Sequence, residues 1–358
     1  MVTIKDIAKQ SNVSTATVSR ILNNDQTLSV SDETRNRVME MVKELNYKPL
    51  RKKSPKVEKE KETDPYNIGI IMLNDETIDP YFQSIRLGVE NMSIQYGMNI
   101  VSTMMIGKSP ITTETLENLD GLIVIGDVDI NDLKTVYGET KPIVAVDYLP
   151  TGTDVDAVIS DFEEATNQVI NYLVELGHTE IAYLGGQGLI FGIHLNQTTE
   201  KDDIRQKTFE RVMKGKGLLN PARVLVGEWG PTSGYSLTQE LLEQPSLPTA
   251  IVVGSDPMAL GVLRALHEAN VKVPDEISVV SFDDIESAAF MNPRLSTVKI
   301  HGNEMGKTAV KLLQDRLEGR KIPLKVTLPA ELVIRDSCSR LKKSEKVEGG
   351  GLDSGSVL

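Results

Sequence analysis

The stretch that decides the fold of the amino-terminal region reads "VSTATVSRILNN", residues 13–24. Ser14 is a favourable N-cap residue, and Val18, Ile21 and Leu22 recur at the spacing of one helical face. The rest of the surface carries short hydroxyl side chains and one long cation, Arg20. Such a helix is suited to lie close against a phosphate backbone, which its small side chains can approach.

The segments on both sides of this stretch also predict helices. In "TIKDIAKQS", Thr3 and Asp6 have the spacing of a capping box, and the aliphatic residues that follow Thr3 form one apolar face. Asn12 lies between this helix and the next, and asparagine tolerates the left-handed conformation that a tight turn requires. A third helix is expected from Ser31 onward, with Val38 on its apolar face. Residues 1–47 therefore predict a helix-turn-helix domain.

A helix of this kind inserts its amino-terminal residues into the major groove of DNA. Thr15 and Ala16 occupy those positions and Arg20 follows one turn later, so we expect these three residues to contact bases. Several short donors around them are expected to hold phosphates: Thr3, Ser14, Thr17, Ser19, Asn23, Ser31 and Thr34. The alternative is a plain three-helix domain whose hydroxyl groups only cap its helices.

Charge is distributed unevenly along the 358 residues. The net charge is −12, yet residues 1–60 contain 12 Lys and Arg against 8 Asp and Glu. A basic head on an acidic body fits nucleic-acid binding by the head alone. The single cysteine, Cys338, excludes an internal disulfide. There is no apolar signal segment and no apolar run long enough for a membrane span, so we expect a cytoplasmic protein.

The composition divides the chain into four parts. Residues 48–65, "KPLRKKSPKVEKEKETDP", are mostly charged residues and proline, which is typical of a hinge or linker. Short apolar runs such as "NIGIIML", "GLIVIG" and "TAIVVG" then alternate with helical patterns over residues 66–340. This alternation predicts βαβ units, and the number of runs predicts two α/β lobes with parallel sheets. Residues 341–358 are expected to be a disordered tail.

Ligands of open α/β sheets bind outside the carboxyl ends of the strands. Residues that directly follow predicted strands, or that open the helix after the first one, are therefore candidates for a small-molecule site: Asp79, Tyr81, Phe82, Asp147, Trp229, Ser255, Asp256 and Asp283. Carboxylates accept hydrogen bonds from hydroxyl groups, and an aromatic face covers the apolar side of a sugar ring. Asp256 has the alternative role of a helix cap, and Tyr81, Phe82 and Trp229 could equally belong to the core.

No catalytic constellation is visible. The four histidines lack metal-ligand spacing, no nucleophile motif occurs, and Cys338 has no evident partner. We therefore expect neither an enzyme nor a bound metal or cofactor.

The motifs together resemble the LacI/GalR family of bacterial transcription regulators. "TIKDIAKQSNVSTATVSRILNN" and "VSDETRNRVMEMVKELNYKP" are similar to its DNA-binding head, while "VELGHTEIAYLGG", "VPDEISVVSFDD" and "PRLSTVKI" are similar to its effector-binding core. The resemblance implies a core like the periplasmic sugar-binding proteins, a homodimer, a pseudo-palindromic operator and base contacts from Thr15, Ala16 and Arg20. It also implies that Arg205 clamps the effector, and "NDQTLSVSDETR" is similar to regulators of galactose and β-galactoside genes.

Two positions depart from the family pattern. The hinge usually contains an alanine-rich helix with a leucine that wedges into the minor groove, but Pro55 would cut such a helix short and Lys56 stands near the wedge position. Three cations in this segment are expected to bind phosphates instead: Arg51, Lys52 and Lys53. A simple tether is the alternative. Ser255 stands where many sugar-binding members have asparagine.

The sequence therefore predicts a dimeric repressor of sugar-utilisation genes whose operator binding is modulated by a small sugar. A regulator of the same architecture that responds to a purine or another co-repressor is the nearest alternative. A sugar-binding protein or enzyme with the periplasmic-binding fold is a more distant one.

Overall fold

The computed structural model describes residues 3–22, 30–45, 65–73, 79–152, 154–194 and 197–342. The chain forms two compact units, Met1–Asp64 and Pro65–Leu358. The predicted linker, residues 48–65, lies outside the described residues except for Pro65. Of the predicted tail, Leu341 and Lys342 are described, and the Leu341 amide donates to the Leu176 carbonyl at 2.9 Å. Both side chains are exposed, and Lys342 Nζ pairs with the Asp275 carboxylate at 2.9 Å. The rest of the predicted tail lies outside the described residues.

The first unit contains the three predicted helices, α1 (Ile4–Gln10), α2 (Thr15–Leu22) and α3 (Asp32–Glu44). Their caps follow the sequence signals: the Thr3 amide donates to the Asp6 carboxylate at 2.8 Å, and Ser14 accepts from the Thr17 amide at 3.0 Å. Asn12 has a φ of 53°, so it makes the tight turn between α1 and α2. The helices pack around a small apolar core: Ile7, Ala8, Val18, Ile21 and Val38.

The second unit is an α/β structure built on two six-stranded sheets and one small hairpin. Its strands are β1 (Asn67–Met72), β2 (Asn99–Met105), β3 (Gly121–Ile125), β4 (Ile143–Val146), β5 (Asp156–Ser160), β6 (Ile181–Gly186), β7 (Leu189–Phe191), β8 (Thr198–Glu200), β9 (Val224–Gly227), β10 (Ala250–Val253), β11 (Ser278–Asp283), β12 (Ser296–Lys299), β13 (Lys325–Leu328) and β14 (Glu331–Val333). Its α-helices are α4 (Pro80–Tyr96), α5 (Thr113–Leu116), α6 (Ile130–Tyr137), α7 (Phe162–Glu175), α8 (Ile204–Gly215), α9 (Pro231–Leu242), α10 (Asp256–Glu268) and α11 (Gly302–Leu317). Two short 3-10 helices complete the unit, Pro221–Arg223 and Glu286–Phe290.

The two sheets define two lobes. The first sheet has the order β13-β5-β4-β3-β1-β2 and is parallel throughout. The second has the order β14-β12-β11-β10-β6-β9 and is parallel except for β14, which runs antiparallel to β12. The central strands are buried because helices cover both faces, as the continuous apolar runs predict. The prediction of two α/β lobes with parallel sheets is confirmed.

The chain crosses between the lobes three times. It leaves the first sheet after β5, returns to it after β12 through α11, and leaves it again between β13 and β14. Helix α11 packs tightly on α4, where a β-carbon added to Gly88 would lie 2.1 Å from the carbonyl oxygen of Asn303. The lobes therefore share three covalent connections, and the carboxyl ends of both sheets contribute to one cleft. None of the described helices has the length and apolar surface that a bilayer crossing requires.

Candidate functional site

The exposed surface of α2 presents the predicted base readers together. Thr15, Ala16 and Arg20 are all exposed, and Ala16 and Arg20 are one helical turn apart on the same face. The opposite face holds Val18 and Ile21 in the core of the first unit. Helix α2 therefore has the division between a buried apolar face and an exposed polar face that a recognition helix requires.

Several predicted phosphate contacts lie at helix starts, where their hydroxyl groups already take part in caps. Ser14 Oγ and Thr17 Oγ1 are 2.9 Å apart, as are Ser31 Oγ and Thr34 Oγ1. Thr3 Oγ1 donates to the Asp6 carboxylate at 2.7 Å. Ser19 lies half-buried on α2. The remaining predicted contacts lie outside the described residues: Asn23, Arg51, Lys52 and Lys53.

The second unit contains a cavity of about 700 Å³ between the lobes, here called the effector cavity. Its lining includes eight of the nine residues that the sequence predicted for a ligand site: Asp79, Tyr81, Phe82, Asp147, Arg205, Trp229, Ser255 and Asp283. They come from both lobes and stand at or beyond the carboxyl ends of strands, as the topology of open parallel sheets requires. Tyr81 and Phe82 also belong to the apolar core, so both roles considered for them coexist.

Asp256 does not line the cavity. Its side chain is fully buried, accepts hydrogen bonds from Thr297 Oγ1 at 2.7 Å and from the Ile285 amide at 2.9 Å, and also accepts from the Ser281 hydroxyl. Its carboxylate ties the start of α10 to β11 and β12, and the helix is capped instead by Ser255. We therefore correct the expectation for Asp256 and assign it a structural role.

Arg205 is held from several sides. Its Nε and one terminal nitrogen donate to Asp203 at 3.0 and 2.7 Å, and the other terminal nitrogen donates to the Gly254 carbonyl at 3.0 Å. The guanidinium lies 4.6 Å from the ring centroid of Trp229 and 4.7 Å from that of Phe162. Burial lowers the pKa of Arg205, but the charge of Asp203 and its hydrogen bonds to the guanidinium have the larger effect and raise it. The cation is fixed in place at the cavity wall.

Trp229 is the only tryptophan of the chain and is 42% exposed. Its indole Nε1 donates to the Gln187 carbonyl at 3.1 Å. The ring packs so closely on Gly186 that a β-carbon there would lie 2.1 Å from it, so only glycine fits beneath the indole. Trp229 thus combines the two roles that the sequence left open, since it is packed on its own lobe and also lines the cavity.

Three of the predicted site residues are buried or half-buried carboxylates that line the cavity: Asp79, Asp147 and Asp283. Tyr81 Oη donates to Asp147 at 2.7 Å, yet burial still raises the pKa of Asp147 to about 7. Burial, reinforced by the charges of Asp79 and Asp256, raises the pKa of Asp283 well above its usual range. Burial also raises the pKa of Asp79, which caps α4 by accepting from the Tyr81 amide. Perturbed titration in a cleft is typical of ligand sites.

The sequence reasoning missed several lining residues. Asp127 stands two residues after β3 and Asp161 directly follows β5, so the rule that found Asp147 should have found both. Asp203 stands two residues before Arg205 and holds its guanidinium, which no sequence pattern indicated. Lys201 forms an ion pair with Asp127 and lies 5.2 Å from the ring centroid of Tyr148.

Lys201 belongs to an element that the sequence did not predict, here called the interlobe strap (residues 187–194 and 197–201). It leaves the second lobe after β6 and pairs β7 with β8. The Phe191 amide donates to the Asp127 carbonyl at 2.8 Å, and the Ile193 amide donates to the Asp132 carboxylate at 2.7 Å. Ile193 is buried in the apolar core of the first lobe. The strap is thus a fourth, non-covalent connection between the lobes.

The described residues contain no group of three or more His, Cys, Asp or Glu side chains that could hold a metal ion. A helix-turn-helix unit followed by two α/β lobes around a polar cavity defines a class of ligand-responsive DNA-binding regulators. Residues 3–49 match the family described as bacterial regulatory proteins, lacI family, and residues 170–338 match the periplasmic binding protein-like domain.

Individual relatives agree with this class. The HTH-type transcriptional repressor MelR of Bacillus subtilis (strain 168) is 38% identical over 341 residues, which cover 94% of this chain and 98% of MelR. A solved complex of the transcriptional regulator CelR with cellobiose is 25% identical with a TM-score of 0.65, covering 94% of this chain and 100% of that one. The solved lac repressor dimer bound to operator and the anti-inducer ONPF is 26% identical with a TM-score of 0.65. The match covers 94% of this chain and 99% of that one.

The chain therefore belongs to the LacI family. It is a DNA-binding transcription regulator, and its relatives are regulators rather than enzymes.

Proposed function

We propose that the protein is a homodimeric repressor that binds a pseudo-palindromic operator and is released or retained by a sugar in the effector cavity. The observation that carries the proposal is the cavity itself. Fixed donors on Arg205, acceptors on Asp147 and Asp283, and the exposed part of the Trp229 ring line one space between the lobes. Hydroxyl groups and the apolar face of a sugar ring are complementary to this set.

Operator recognition would come from α2 in two copies. One head buries too little surface for tight specific binding, so a two-fold dimer would place two helices in successive major grooves. Thr15, Ala16 and Arg20 would contact bases, while the hydroxyl groups at the helix starts would contact phosphates. Arg51, Lys52 and Lys53 remain predicted phosphate contacts of the linker, and the protein would act in the cytoplasm.

Three kinds of support favour a sugar. MelR is a similar repressor, CelR is similar and was solved with cellobiose, and the cavity presents carboxylates beside an aromatic ring. An effector that prefers one arrangement of the lobes changes the affinity of the protein for its operator. By linkage, the operator then changes the affinity for the effector by the same factor. The coupling free energy is typically about 1–3 kcal/mol. Weaker operator binding in the presence of the sugar would indicate induction, and tighter binding would indicate co-repression.

The test uses the full-length protein. Operators are selected from random duplexes that contain a dyad, and binding is followed by fluorescence anisotropy with mono- and disaccharides and, for the alternative, with purines. We expect one sugar to change operator affinity by about 5- to 150-fold. A purine response without any sugar response would favour the co-repressor alternative.

Arg205→Ala tests the cavity directly, because it removes the fixed donors while leaving the head untouched. The matched control is Arg211→Ala on the same helix, whose guanidinium pairs with Glu163 at an exposed position, 2.8 Å away. We expect Arg205→Ala to lose the sugar response and to retain operator binding, and Arg211→Ala to retain both. Equal responses from the two variants would show that the effector binds elsewhere.

A further inference from the structure

The effector cavity has a strong excess of negative charge. Its lining contains eight acidic side chains and three basic ones. Lys325 is exposed, whereas Lys201 and Arg205 are half-buried. The charge of a ligand in this cavity therefore depends on whether the two inner cations are available to it.

Both inner cations are neutralised by the protein. Lys201 forms an ion pair with Asp127, and Arg205 donates a two-bond fork to Asp203. Each pair contributes no net charge, so Arg205 offers its remaining N–H groups as directional donors rather than as an uncompensated positive charge. To pair with either inner cation, an anionic ligand would have to displace Asp127 or Asp203, which are themselves buried or half-buried.

Three of the helix starts around the cavity are also occupied. The amino terminus of a helix is a common site for phosphate, because unpaired backbone amides point outward there. Here Asp79 accepts from the first turn of α4 at 3.1 Å, Asp161 from that of α7 at 3.0 Å, and Asp203 from that of α8 at 2.9 Å. Three of the protein's own carboxylates thus already occupy the positions at which a phosphate would bind.

Three carboxylates of the cavity lack a cationic partner among the described residues. Among the described residues, no Lys or Arg forms an ion pair with Asp79, Asp147 or Asp283, all of which line the same cavity. An ionised carboxylate only accepts hydrogen bonds. A ligand that carries several O–H groups satisfies these acceptors, whereas a phosphate or carboxylate would face like charge at short range.

The size of the cavity is also compatible with a saccharide. Its volume of about 700 Å³ lies within the range of about 300–1,000 Å³ that is usual for small-molecule pockets. A molecule of one or two sugar rings therefore fits between the lobes.

We propose that the effector is an uncharged saccharide of one or two rings, and that the cavity rejects phosphorylated and acidic sugars. This inference rests on the proposed function, since it specifies the ligand of the same cavity. Discrimination would come from the surplus of carboxylates and from the prior occupation of the two inner cations and of three helix starts.

The test compares each sugar with its own phosphate ester. Full-length protein is titrated calorimetrically with cellobiose, lactose and melibiose and with their 6-phosphates, at pH 8, above the pKa of about 7 that burial gives Asp147. We expect at least one parent disaccharide to bind, and its phosphate to bind at least about 100-fold more weakly. A phosphate ester, or an amino sugar, that binds more tightly than every neutral sugar would overturn the inference while leaving a sugar-responsive regulator intact.

A charge variant separates repulsion from simple shape. Asp147→Asn keeps the size of the side chain and, at pH 8, removes one charge, so the ratio between neutral and phosphorylated affinities should fall about tenfold. The control is Asp275→Asn, which lies outside the cavity lining and whose carboxylate pairs with Lys342 at 2.9 Å, and it should leave the ratio unchanged. An unchanged ratio in Asp147→Asn would overturn the electrostatic argument. If no sugar binds in either form, the proposed function fails and this inference with it.

Discussion

Replacement of Asp147 by asparagine should stabilise the protein, and increasingly so as the pH rises through neutrality. The carboxylate stands at the end of β4, accepts a hydrogen bond from Tyr81 Oη at 2.7 Å, and has its pKa raised by burial to about 7 from an ordinary 3.8. An asparagine oxygen can accept the same hydrogen bond without carrying charge. The substitution therefore removes the cost of a buried charge and retains the contact.

The direction and size of this change in stability follow from the linkage between folding and protonation. Because the native carboxylate keeps its proton at a pH where the unfolded one has lost it, stability falls as the pH rises from about 4 to about 7 and is level above that. The full shift corresponds to about 4 kcal/mol, and water in the open cavity reduces it to roughly 2–4 kcal/mol. About 2 kcal/mol at most should develop between pH 5.5 and 8.5.

The assay is urea unfolding of wild type and Asp147→Asn at pH 5.5, 6.5, 7.5 and 8.5. The difference between the two proteins isolates this carboxylate, because all other titrating groups are common to both. We expect the variant to gain stability relative to wild type up to about pH 7.5 and to gain no more beyond it. A constant difference across this range, or a variant that becomes relatively less stable as the pH rises, would refute the assignment of a buried, uncompensated charge.

Three further outcomes test other parts of the molecule. Arg20→Ala should weaken operator binding by about 1–3 kcal/mol and relax base preference at one position, as measured by anisotropy against single-base operator variants; an unchanged preference would contradict the docking of α2. Asp132→Ala removes the carboxylate that accepts a hydrogen bond from the Ile193 amide, so amide hydrogen exchange in the interlobe strap should accelerate at least about tenfold while β4 stays protected. Unchanged exchange would show that the strap does not depend on this contact. Gly88→Ala should lower the free energy of unfolding in urea by about 1–3 kcal/mol or more, because its new methyl group meets the backbone of α11 at 2.1 Å. The added methyl group of Gly215→Ala meets nothing within 4 Å, so this control should be neutral or slightly stabilising. Equal effects of the two substitutions would contradict the tight helix contact.

Local signals predicted the head well because its structure depends on local interactions. The capping box at Thr3, the N-cap at Ser14 and the left-handed turn at Asn12 are each satisfied within a few residues of chain. The core strands were predictable for a related reason, since burial on both faces requires nearly continuous apolar runs. Strand β2 was missed because it is an edge strand whose residues alternate between exposed and half-buried along much of its length, "NIVSTMM".

The cavity was predictable only as far as the strand-end rule reaches. Asp256 and Asp283 both follow apolar strands, yet one turns into the hydrogen-bonding groups of β11 and β12 and the other into the cavity. That difference depends on Ser281 and Thr297, which are distant in sequence and become neighbours only when the strands pair. The strap was missed for the same reason. Its short polar strands have no periodic pattern, and Ile193 is buried by the other lobe rather than by its own segment.

Physical grounds that do not depend on relatives support the proposal that the cavity binds a ligand. A core that only needed stability would not place Asp79, Asp147 and Asp283 around one space with their pKa values raised by burial, because each buried charge without a counter-ion destabilises the fold. Such a cost is typical of functional sites. We therefore expect the carboxylates that weaken the unliganded protein to supply the selectivity of the liganded one.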